Sequence, residues 1–244
     1  MEAEDFIYGT RAVIEAIQNS KNIDKVLIKT GLKNELVHEL INLMKEKEIA
    51  FQFVPIEKIN RVTRKNHQGV LAFITPIEYT DIEDVLPMVY EKGKEPLILV
   101  LDQITDVRNF GAITRSAECA GVDAIIIPEK GMARIGADAV KTSAGALHLI
   151  PVCKVKSLTR TLRFLKDSGI AVIAATEKTN KIYTEGNFKR PVAIVMGSED
   201  TGISDSVLQL ADEQLKIPLL GKIGSLNVSV SAALMIYEAV RQRS

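Results

Sequence analysis

Apolar and polar residues follow two different periods in the first third of the chain. Residues 10–19 and 35–48 carry apolar positions three and four residues apart, which predicts two amphipathic helices. The runs VLIKT, AFQFV and GVLAFIT are short and rich in β-branched and aromatic residues, which predicts strands. We therefore expect a small α/β domain at residues 1–75. The charged, proline-bearing segment 76–93 has weak periodicity and is interpreted as a linker.

After Pro96 the apolar runs become nearly continuous. The segments LILVL, AIIIP, LIPVC, IAVIAAT, VAIVM and LKIPL are typical of strands buried on both faces of a parallel sheet. Helical segments separate most of them, and one of these has a start signal at Ser157 and a stop signal at Gly169. This alternation predicts a doubly wound α/β domain at residues 94–244, in which ligands bind at the carboxyl ends of the strands.

The loop after VAIVM, with the sequence GSEDTGIS, is the first candidate for a binding site. Gly197 and Gly202 have the spacing of a phosphate-binding Walker A loop, but Ile203 occupies the position of its lysine. A nucleoside triphosphate site is therefore not expected. Glycine lets the backbone approach a ligand closely, and two carboxylates, Glu199 and Asp200, follow it. They are interpreted either as a solvated turn or as part of a site.

Two other segments carry polar residues that need an explanation. Asn109 lies near a predicted helix start and Arg115 less than two turns beyond it, so they are either a helix cap and a solvated side chain or site residues. In GSLNVSVSAALM, four small polar residues alternate with apolar residues whose pattern predicts burial: Ser225, Asn227, Ser229 and Ser231. An unpaired buried polar group costs about 1–3 kcal/mol. Partners for them are therefore expected in the protein or in a ligand.

Taken together, these segments resemble a known family. Asn109 and Arg115, then MGSEDTG, then IPLLGKIGSLNVSVSAAL match in order and spacing the three motifs of the SpoU (TrmH-type) RNA ribose methyltransferases of the SPOUT superfamily. This resemblance covers residues 97–244. YGTRAVIEAI and NHQGVLAF are similar to the first and last segments of the L30e-like substrate-binding domain of two-domain bacterial members. The chain most resembles the branch that methylates a guanosine ribose in 23S ribosomal RNA, whereas related branches act on an adenosine ribose or on tRNA.

The resemblance implies an α/β fold in which the C-terminal SPOUT domain contains a deep trefoil knot. It implies S-adenosylmethionine as the methyl donor, bound chiefly through the backbone at Gly197, Ile217 and Leu226. The implied catalytic residues come from all three motifs and are Asn109, Arg115, Glu199, Ser225 and Asn227. Homodimerisation through the C-terminal helix is also implied. Ser229 and Ser231 are interpreted as small residues that permit close helix packing.

Charge suggests what these residues do in the expected reaction. The donor sulfonium loses positive charge during methyl transfer, so a carboxylate beside the sulfur would favour the ground state over the transition state. We therefore expect Glu199 to hold Asn109, Arg115 or the RNA. The mechanism implied by the family makes Arg115 the base for the ribose hydroxyl, but a guanidinium normally keeps its proton because its pKa exceeds about 12. Positioning of a phosphate is therefore an equal alternative for Arg115.

RNA binding is expected to start in the first domain. The densest basic stretch lies between two predicted strands and contains Lys58, Arg61, Arg64 and Lys65. Such a stretch is often solvated surface, but its position beside NHQGVLAF makes an RNA-binding surface an equal alternative. His67 is interpreted as a local hydrogen-bonding residue. No cluster of ligand residues indicates a metal site.

Composition narrows the remaining possibilities. Lysine plus arginine equals aspartate plus glutamate at 31 each, so RNA must be met by a local patch rather than by net charge. The two cysteines, Cys119 and Cys153, lie in apolar runs and are interpreted as buried thiols in a reducing compartment. The acidic N-terminal segment predicts neither a secretory signal nor a membrane span, so a cytoplasmic location is expected. The alternative to an enzyme is a noncatalytic RNA-binding protein of the same fold, against which the intact set of motif residues argues.

Overall fold

The computed structural model describes residues 6–244, and the chain divides between Glu78 and Tyr79 into two units. The first unit contains, in chain order, β1 (Phe6–Tyr8), α1 (Thr10–Gln18), β2 (Ile23–Lys29), α2 (Glu35–Glu46), β3 (Phe51–Val54), α3 (Ile56–Asn60) and β4 (Val70–Ile74). Its strands form one mixed sheet in the order β1-β4-β2-β3, in which β2 and β3 are parallel and the other pairs antiparallel. The helices and strands expected here are confirmed, and β1 is an addition that the sequence pattern did not predict.

The two faces of this sheet are covered differently. Successive residues of a strand point to opposite faces, so Val26 and Ile28 of β2 lie on one face and Leu27 on the other. Helices α1 and α2 pack on the face of Val26 and Ile28 and complete the larger core of the unit. On the opposite face, Ile59 of α3 joins Leu27 and Leu71 in a small buried cluster. This second face therefore has less helical cover.

The second unit is the expected doubly wound parallel sheet with helices on both faces. It contains α4 (Ile82–Glu91), β5 (Leu97–Asp102), α5 (Val107–Cys119), β6 (Ala124–Pro128), α6 (Ala137–Thr142), β7 (Val152–Val155), α7 (Leu158–Asp167), β8 (Ala171–Ala175), β9 (Val192–Gly197), α8 (Asp205–Leu208), β10 (Glu213–Leu215) and α9 (Val228–Arg243), with 3₁₀ turns at Ala146–His148 and Tyr183–Glu185. Every strand pair is parallel, and the order is β10-β8-β9-β5-β6-β7. The chain order reverses between β5 and β9, so the crevice at which such sheets bind ligands lies at the ends of these two strands.

The expectation that residues 76–93 form a linker is wrong for most of that segment. Residues 82–91 form helix α4, and its buried side chains Ile82, Val85, Leu86 and Val89 belong to the core of the second unit. Their spacing of three and four residues is helical. Pro87 inside the helix and the flanking charges concealed this pattern, because proline ordinarily interrupts a helix and core packing has to offset its cost.

Two strand boundaries also differ from expectation, whereas the ends of α7 are confirmed. Ser157 Oγ accepts a hydrogen bond from the Arg160 N–H at 3.3 Å, and Gly169 follows the helix with φ +82°. The run LKIPL was expected to be a strand, but β10 ends at Leu215 and the chain then leaves the sheet. Pro218 has no N–H to donate to a neighbouring strand. The strand expected at LIPVC begins only at Val152.

The expectations for the cysteines and for membrane spans have separate outcomes. Cys153 is fully buried in the core beside β6, as expected. Cys119 is exposed at the last residue of α5, so its interpretation as a buried thiol is wrong. The apolar pattern around it reflects its neighbours, since Ala117 and Val122 are buried. In the part of the chain from residue 6 onward, no helix is long and apolar enough to cross a membrane.

Candidate active site

The site is built where β5 and β9 end side by side. Asp102 is paired in register with Gly197, so the loops after the two strands begin at neighbouring points. Asp102 is buried, and its Oδ2 accepts a hydrogen bond from the Ser204 N–H at 2.8 Å. A side chain on Gly197 would place Cβ only 2.2 Å from the backbone of Gly202 and Ile203. Only glycine therefore lets this loop fold back over the end of β9.

The way helix α5 begins determines where the Asn109 side chain points. Asp106 is the N-cap, and its Oδ1 accepts hydrogen bonds from the backbone N–H groups of Arg108 and Asn109, both at 2.8 Å. Capping by Asp106 satisfies these helix donors, so Asn109 is not the cap. The Asn109 side chain instead reaches the loop that follows β9.

Asn109, Glu199 and Asn227 form a cluster from three separate segments, here called the amide–carboxylate cluster. Asn109 Nδ2 donates to Glu199 Oε1 at 3.2 Å, and Asn227 Nδ2 lies 2.6 Å from the same oxygen. Asn227 Nδ2 also lies 2.9 Å from Asn109 Oδ1, and the Val228 N–H donates to Glu199 Oε1 at 3.0 Å. One carboxylate oxygen therefore joins α5, the loop after β9 and the start of α9.

Asn227 also caps the last helix. Its Oδ1 accepts hydrogen bonds from the backbone N–H of Ser229 at 3.0 Å and from Ser229 Oγ. Contrary to the expectation from the alternating pattern, Ser225 and Asn227 are exposed and not in the core. Leu226, between them, is itself 37% exposed. The alternation in GSLNVS therefore marks a capped helix start and not a buried strand.

A cleft of about 380 Å³ opens beside this cluster. Its lining comes from the ends of β8, β9 and β10 and from the segment before α9. The three residues for which backbone contacts to the cofactor were expected, Gly197, Ile217 and Leu226, all line it. Ser225 and Ser231 line it too, so Ser231 faces the cleft in addition to any role in helix packing. The volume lies within the range of small-molecule sites, about 300–1,000 Å³.

Segment 217–226 forms one wall of the cleft with an unusual backbone. Within residues 6–244, the N–H and C=O groups of this segment make no hydrogen bond to another backbone group. The segment is also largely exposed, and Leu220 and Ile223 are 99% and 79% exposed. Its donors and acceptors, some of which line the cleft, are therefore open to solvent or to a ligand.

Arg115 does not join the amide–carboxylate cluster. It follows Asn109 by six residues of helix, which advances it by about 9 Å and turns it by about 120° away from the direction of Asn109. Its side chain is exposed and makes no hydrogen bond or ion pair with any other described residue. It shares one face of α5 with Arg108, which is also exposed. The structure thus brings three of the five expected catalytic residues together, with Ser225 at the adjacent cleft.

The expected RNA-binding residues lie on one short stretch of the first unit, here called the basic loop. Lys58 is on α3, and Arg61, Arg64 and Lys65 follow it before β4; all four are exposed. His67 is buried, its Nδ1 accepts from the Gly69 N–H at 3.0 Å, and its Nε2 lies 2.9 Å from Asn60 Oδ1. His67 is therefore a local hydrogen-bonding residue that joins the two ends of the loop.

Comparison with known proteins agrees with this arrangement. Residues 96–237 match the sequence model of the SpoU rRNA methylase family, and residues 6–80 match that of the RNA 2′-O ribose methyltransferase substrate-binding domain. The chain belongs to the SpoU rRNA methylase family. As a member of this family it is an RNA methyltransferase.

Individual relatives extend over nearly the whole chain. A protein of Staphylococcus saprophyticus subsp. saprophyticus assigned to the TrmH family of tRNA/rRNA methyltransferases is 36% identical over 99% of this chain and 97% of its own length. Among solved structures, the SpoU methyltransferase AviRb of Streptomyces viridochromogenes, in complex with AdoMet, is 22% identical with a TM-score of 0.62, covering 98% of this chain and 90% of that one. An RNA 2′-O ribose methyltransferase is 27% identical with a TM-score of 0.57, covering 98% and 88%. The chain thus has the same fold as these two methyltransferase structures.

Two aspartates that position the site were missed from the sequence. Asp102 ends a fully apolar strand, and Asp106 precedes a helix by one residue. A polar residue at the end of a buried parallel strand and an N-cap aspartate are both signals that sequence analysis can use. The attachment of Glu199 to the Val228 N–H has no such signal, because it depends on how two distant loops meet. No group of three or more His, Cys, Asp or Glu side chains that could hold a metal ion occurs among residues 6–244.

Proposed function

We propose that this SpoU methylase transfers the methyl group of S-adenosylmethionine to the 2′-hydroxyl of a guanosine ribose in 23S ribosomal RNA. The observation that carries the proposal is the amide–carboxylate cluster, which lies beside the cleft lined by Gly197, Ile217 and Leu226. The family membership establishes RNA methylation. The choice of a guanosine ribose in 23S RNA as the target is the part that we propose here.

The cleft has the chemistry that the methyl donor requires. S-adenosylmethionine supplies an electrophilic methyl group on a sulfonium, and it has an adenine ring with both donors and acceptors. The unpaired backbone groups at Ile217 and Leu226 can meet the ring edge, while the side chains of Met196, Leu219 and Leu226 offer apolar surface to its faces. The exposed carboxylates Glu177 and Asp200 also line the cleft and can meet hydroxyl and ammonium groups.

The polar residues of the cluster are suited to orientation of the substrate. Glu199 Oε1 accepts from three donors, so this oxygen is occupied by Asn109, Asn227 and the Val228 N–H. Its carboxylate thereby fixes both amides, which agrees with the expectation that it does not act on the sulfonium. The Ser225 hydroxyl at the cleft lies where it can bind the ribose or the donor. Alignment of this kind contributes several kcal/mol to a displacement reaction, out of about 7–11 kcal/mol available to well-oriented reactions.

Arg115 is assigned to a phosphate of the RNA rather than to proton abstraction. Its guanidinium is exposed and lies away from the cluster in the same chain. A guanidinium offers five N–H donors in a planar fork that matches phosphate oxygens. The proton of the ribose hydroxyl then leaves to solvent or to a phosphate, and Arg115 sets the position of the RNA backbone.

The first unit binds the RNA, and the second unit binds the methyl donor. The match of the first unit to a substrate-binding domain supports this assignment. The four cations of the basic loop supply phosphate contacts that the neutral chain as a whole does not. A fold similar to L30e for this unit, and a deep trefoil knot formed by the C-terminal strands and loops of the second unit, are parts of the same proposal. An RNA substrate also supports a cytoplasmic location. The alternatives are methylation of tRNA or of an rRNA adenosine, and a noncatalytic RNA-binding protein.

The test of this function is direct transfer and mapping of the product. The purified chain is incubated with methyl-labelled S-adenosylmethionine and either unmethylated 23S RNA or tRNA, and modified riboses are mapped by mass spectrometry. Label at one guanosine ribose of 23S RNA is expected, and the same nucleotide is unmethylated in a deletion strain. Label confined to tRNA or to an adenosine would favour an alternative target. Cofactor binding without transfer to any of these RNAs would favour the noncatalytic alternative.

The homodimer is proposed from an apolar stripe on α9. Val230, Leu234 and Tyr237 are spaced by four and three residues, share one face of the helix and are 48%, 36% and 49% exposed. A second copy of the chain would cover this stripe, since such surfaces mark protein contacts. Leu234→Glu is expected to give monomers in analytical ultracentrifugation. Met88→Glu, at an exposed apolar residue of α4, is the matched control that stays dimeric. A monomeric wild type would contradict the dimer.

A further inference from the structure

The less covered face of the first sheet carries a group of aromatic side chains that the proposed function does not use. Phe6 and Tyr8 are on edge strand β1, and Phe73 is directly opposite Phe6 on β4. The alternation of strand residues places all three on the face that carries Leu71 and not on the face packed by α1 and α2. We call Phe6, Tyr8 and Phe73 the aromatic corner.

The rings of the aromatic corner are close together and partly exposed. The centroids of Phe6 and Tyr8 are 6.3 Å apart, and their planes meet at 45°. All three rings are of intermediate burial, whereas Leu27 and Leu71 on the same face are buried. Rings that served only as core would gain more from full burial, since apolar burial contributes about 25 cal/mol per Å². A planar surface at a sheet edge is therefore left accessible in part.

The basic loop lies against this corner. Lys65 Nζ lies 5.7 Å from the centroid of the Tyr8 ring, over its face. The hydrogen bonds of His67 to Asn60 and Gly69 hold the loop between α3 and β4, so its position relative to Tyr8 is set by the fold. Cationic side chains and stackable rings thus occur within one surface of a single unit.

We propose that the aromatic corner is a stacking site for unpaired bases of the RNA, next to the basic loop that binds the phosphates. The inference rests on RNA being the substrate, as proposed above, and specifies which form of RNA the first unit takes. Protein rings stack on bases that are splayed out of a helix, whereas bases in a duplex are already stacked on each other. A cationic surface with aromatic rings beside it is the combination by which proteins bind single-stranded nucleic acid, because the cations meet the phosphates and the rings stack on the bases. The first unit therefore selects a loop or other unpaired segment.

The experiment uses the full chain and two RNA probes, a hairpin with 2-aminopurine in its loop and a fully paired duplex with the stem sequence. The wild type is expected to bind the hairpin more tightly than the duplex and to change the 2-aminopurine fluorescence. Tyr8→Leu keeps an apolar side chain but removes the ring, and it is expected to weaken hairpin binding by about 5- to 150-fold, the worth of one stacked base. Duplex binding is expected to stay unchanged.

Two control variants separate stacking from a general effect on the unit. Tyr8→Phe keeps the ring and is expected to bind the hairpin like the wild type. Phe53→Leu removes a ring that is 48% exposed on the opposite face of the same sheet, and it is also expected to have no effect. Circular dichroism and thermal melting establish that each variant is folded. If Tyr8→Leu does not fold, the fluorescence of the wild-type complex decides alone.

Failure of this inference is distinct from failure of the proposed function. A wild type that leaves the 2-aminopurine fluorescence unchanged, or a folded Tyr8→Leu that binds the hairpin normally, overturns the stacking site while methyl transfer can still occur. Conversely, loss of hairpin binding in Tyr8→Leu together with no methyl transfer by the wild type keeps the stacking site and overturns the enzymatic function. Calorimetry with S-adenosylmethionine is expected to give the same affinity for the wild type and Tyr8→Leu.

Discussion

Asn227 Nδ2 lies 2.6 Å from Glu199 Oε1, and this contact ties the start of the last helix to the loop after β9. The same oxygen accepts the N–H of Val228 at 3.0 Å and the amide of Asn109. Hydrogen bonds to an ionised acceptor are about twice as strong as neutral ones. Glu199 therefore acts as the common acceptor that holds two expected catalytic amides in place.

Replacement of Glu199 is expected to reduce transfer in a graded way. Glu199→Gln retains an acceptor oxygen but loses the charge, whereas Glu199→Ala leaves three donors without their acceptor. We expect single-turnover transfer to fall by about 10-fold in the first and about 100-fold or more in the second. Asp205→Asn, at an exposed carboxylate of α8, is the control with wild-type rates. Equal rates for all three variants would show that the cluster does not position the reacting groups.

Arg115→Lys tests the role of the guanidinium. The variant keeps the positive charge but loses the planar fork. Transfer at saturating RNA is expected to fall by about 10²-fold, the effect of a misplaced substrate, and a larger loss of up to about 10⁴-fold would favour the role as base. The affinity for S-adenosylmethionine is expected to stay unchanged, because the proposed cofactor contacts are at Gly197, Ile217 and Leu226. Arg108→Lys, on the same exposed face of α5, is the matched control.

The pH profile of Arg115→Lys separates the two roles of this residue. A lysine that acts as base would give activity rising through its own pKa, which is lower than that of a guanidinium. A defect of phosphate positioning leaves the shape of the profile unchanged, and this is the outcome expected here. RNA affinity must be measured separately, because weak binding alone lowers the apparent rate. Near-normal single-turnover rates would remove Arg115 from the catalytic residues.

Truncation tests the boundary between the two units. A chain of residues 79–244 keeps α4 and is expected to fold and to bind S-adenosylmethionine, but to methylate RNA poorly because the basic loop is absent. A chain of residues 94–244 also loses Ile82, Val85, Leu86 and Val89 from the core. Each such loss costs about 2–5 kcal/mol when the site cannot collapse, so a lower melting temperature is expected. Full RNA methylation by either chain would contradict the division of work.

The strands and helices of the second unit could be predicted only in part from the sequence. Continuous apolar runs such as VAIVM predicted a parallel sheet because strands covered on both faces need no polar side. The run LKIPL has the same composition, yet Ile217 and Leu219 leave the sheet and line the cleft. Composition alone does not distinguish a buried strand from an apolar wall around a ligand. Helix α4 was not predicted, because Pro87 lies inside it and proline ordinarily interrupts a helix. The helix forms because its buried residues pack in the core, which the local sequence does not show.

The residues of the candidate site were easier to anticipate than their geometry. Glu199 was expected to hold Asn109, Arg115 or the RNA, and in the structure its side chain forms hydrogen bonds with Asn109 and Asn227. Their contacts join residues more than a hundred positions apart in one case, and no periodicity encodes such contacts. Arg115 lies outside the cluster, which the sequence could not show, because a sequence motif names a residue without giving the direction in which the helix presents it.

Neutralisation of the basic loop is expected to change how RNA binding depends on salt. Glutamine at all four positions of the loop removes up to four phosphate contacts, and each one lowers the slope of log affinity against log salt by about 0.7 to 0.9. Affinity for S-adenosylmethionine is expected to be unaffected. The control removes four exposed lysines elsewhere on the first unit, namely Lys21, Lys33, Lys45 and Lys47. An equal change of slope in both variants would show that the basic loop has no special role.

The two cysteines of the second unit are expected to differ in reactivity, because Cys119 is exposed and Cys153 is buried. Burial, with a smaller contribution from the negative charge of Asp81, raises the pKa of the Cys153 thiol to about 12. Because the thiolate is the reactive form, its fraction at about pH 8 is on the order of one in ten thousand, and access is also blocked. Cys119 is exposed at the end of α5.

Maleimide labelling of the native chain at about pH 8 is therefore expected to modify one thiol rapidly and the other only after unfolding. Intact mass spectrometry counts the labels, and Cys119→Ser is expected to abolish the rapid reaction. Two rapidly reacting thiols in the native chain would contradict the burial of Cys153. A moderately alkaline pH is not expected to make Cys153 react, because the pKa of its thiol remains well above that pH. In the chain of residues 94–244, Cys153 loses both Asp81 and the α4 residues that belong to the same buried core cluster. Its labelling is then expected to be faster than in the chain of residues 79–244. Such a difference would show that α4 belongs to the second unit and keeps Cys153 buried.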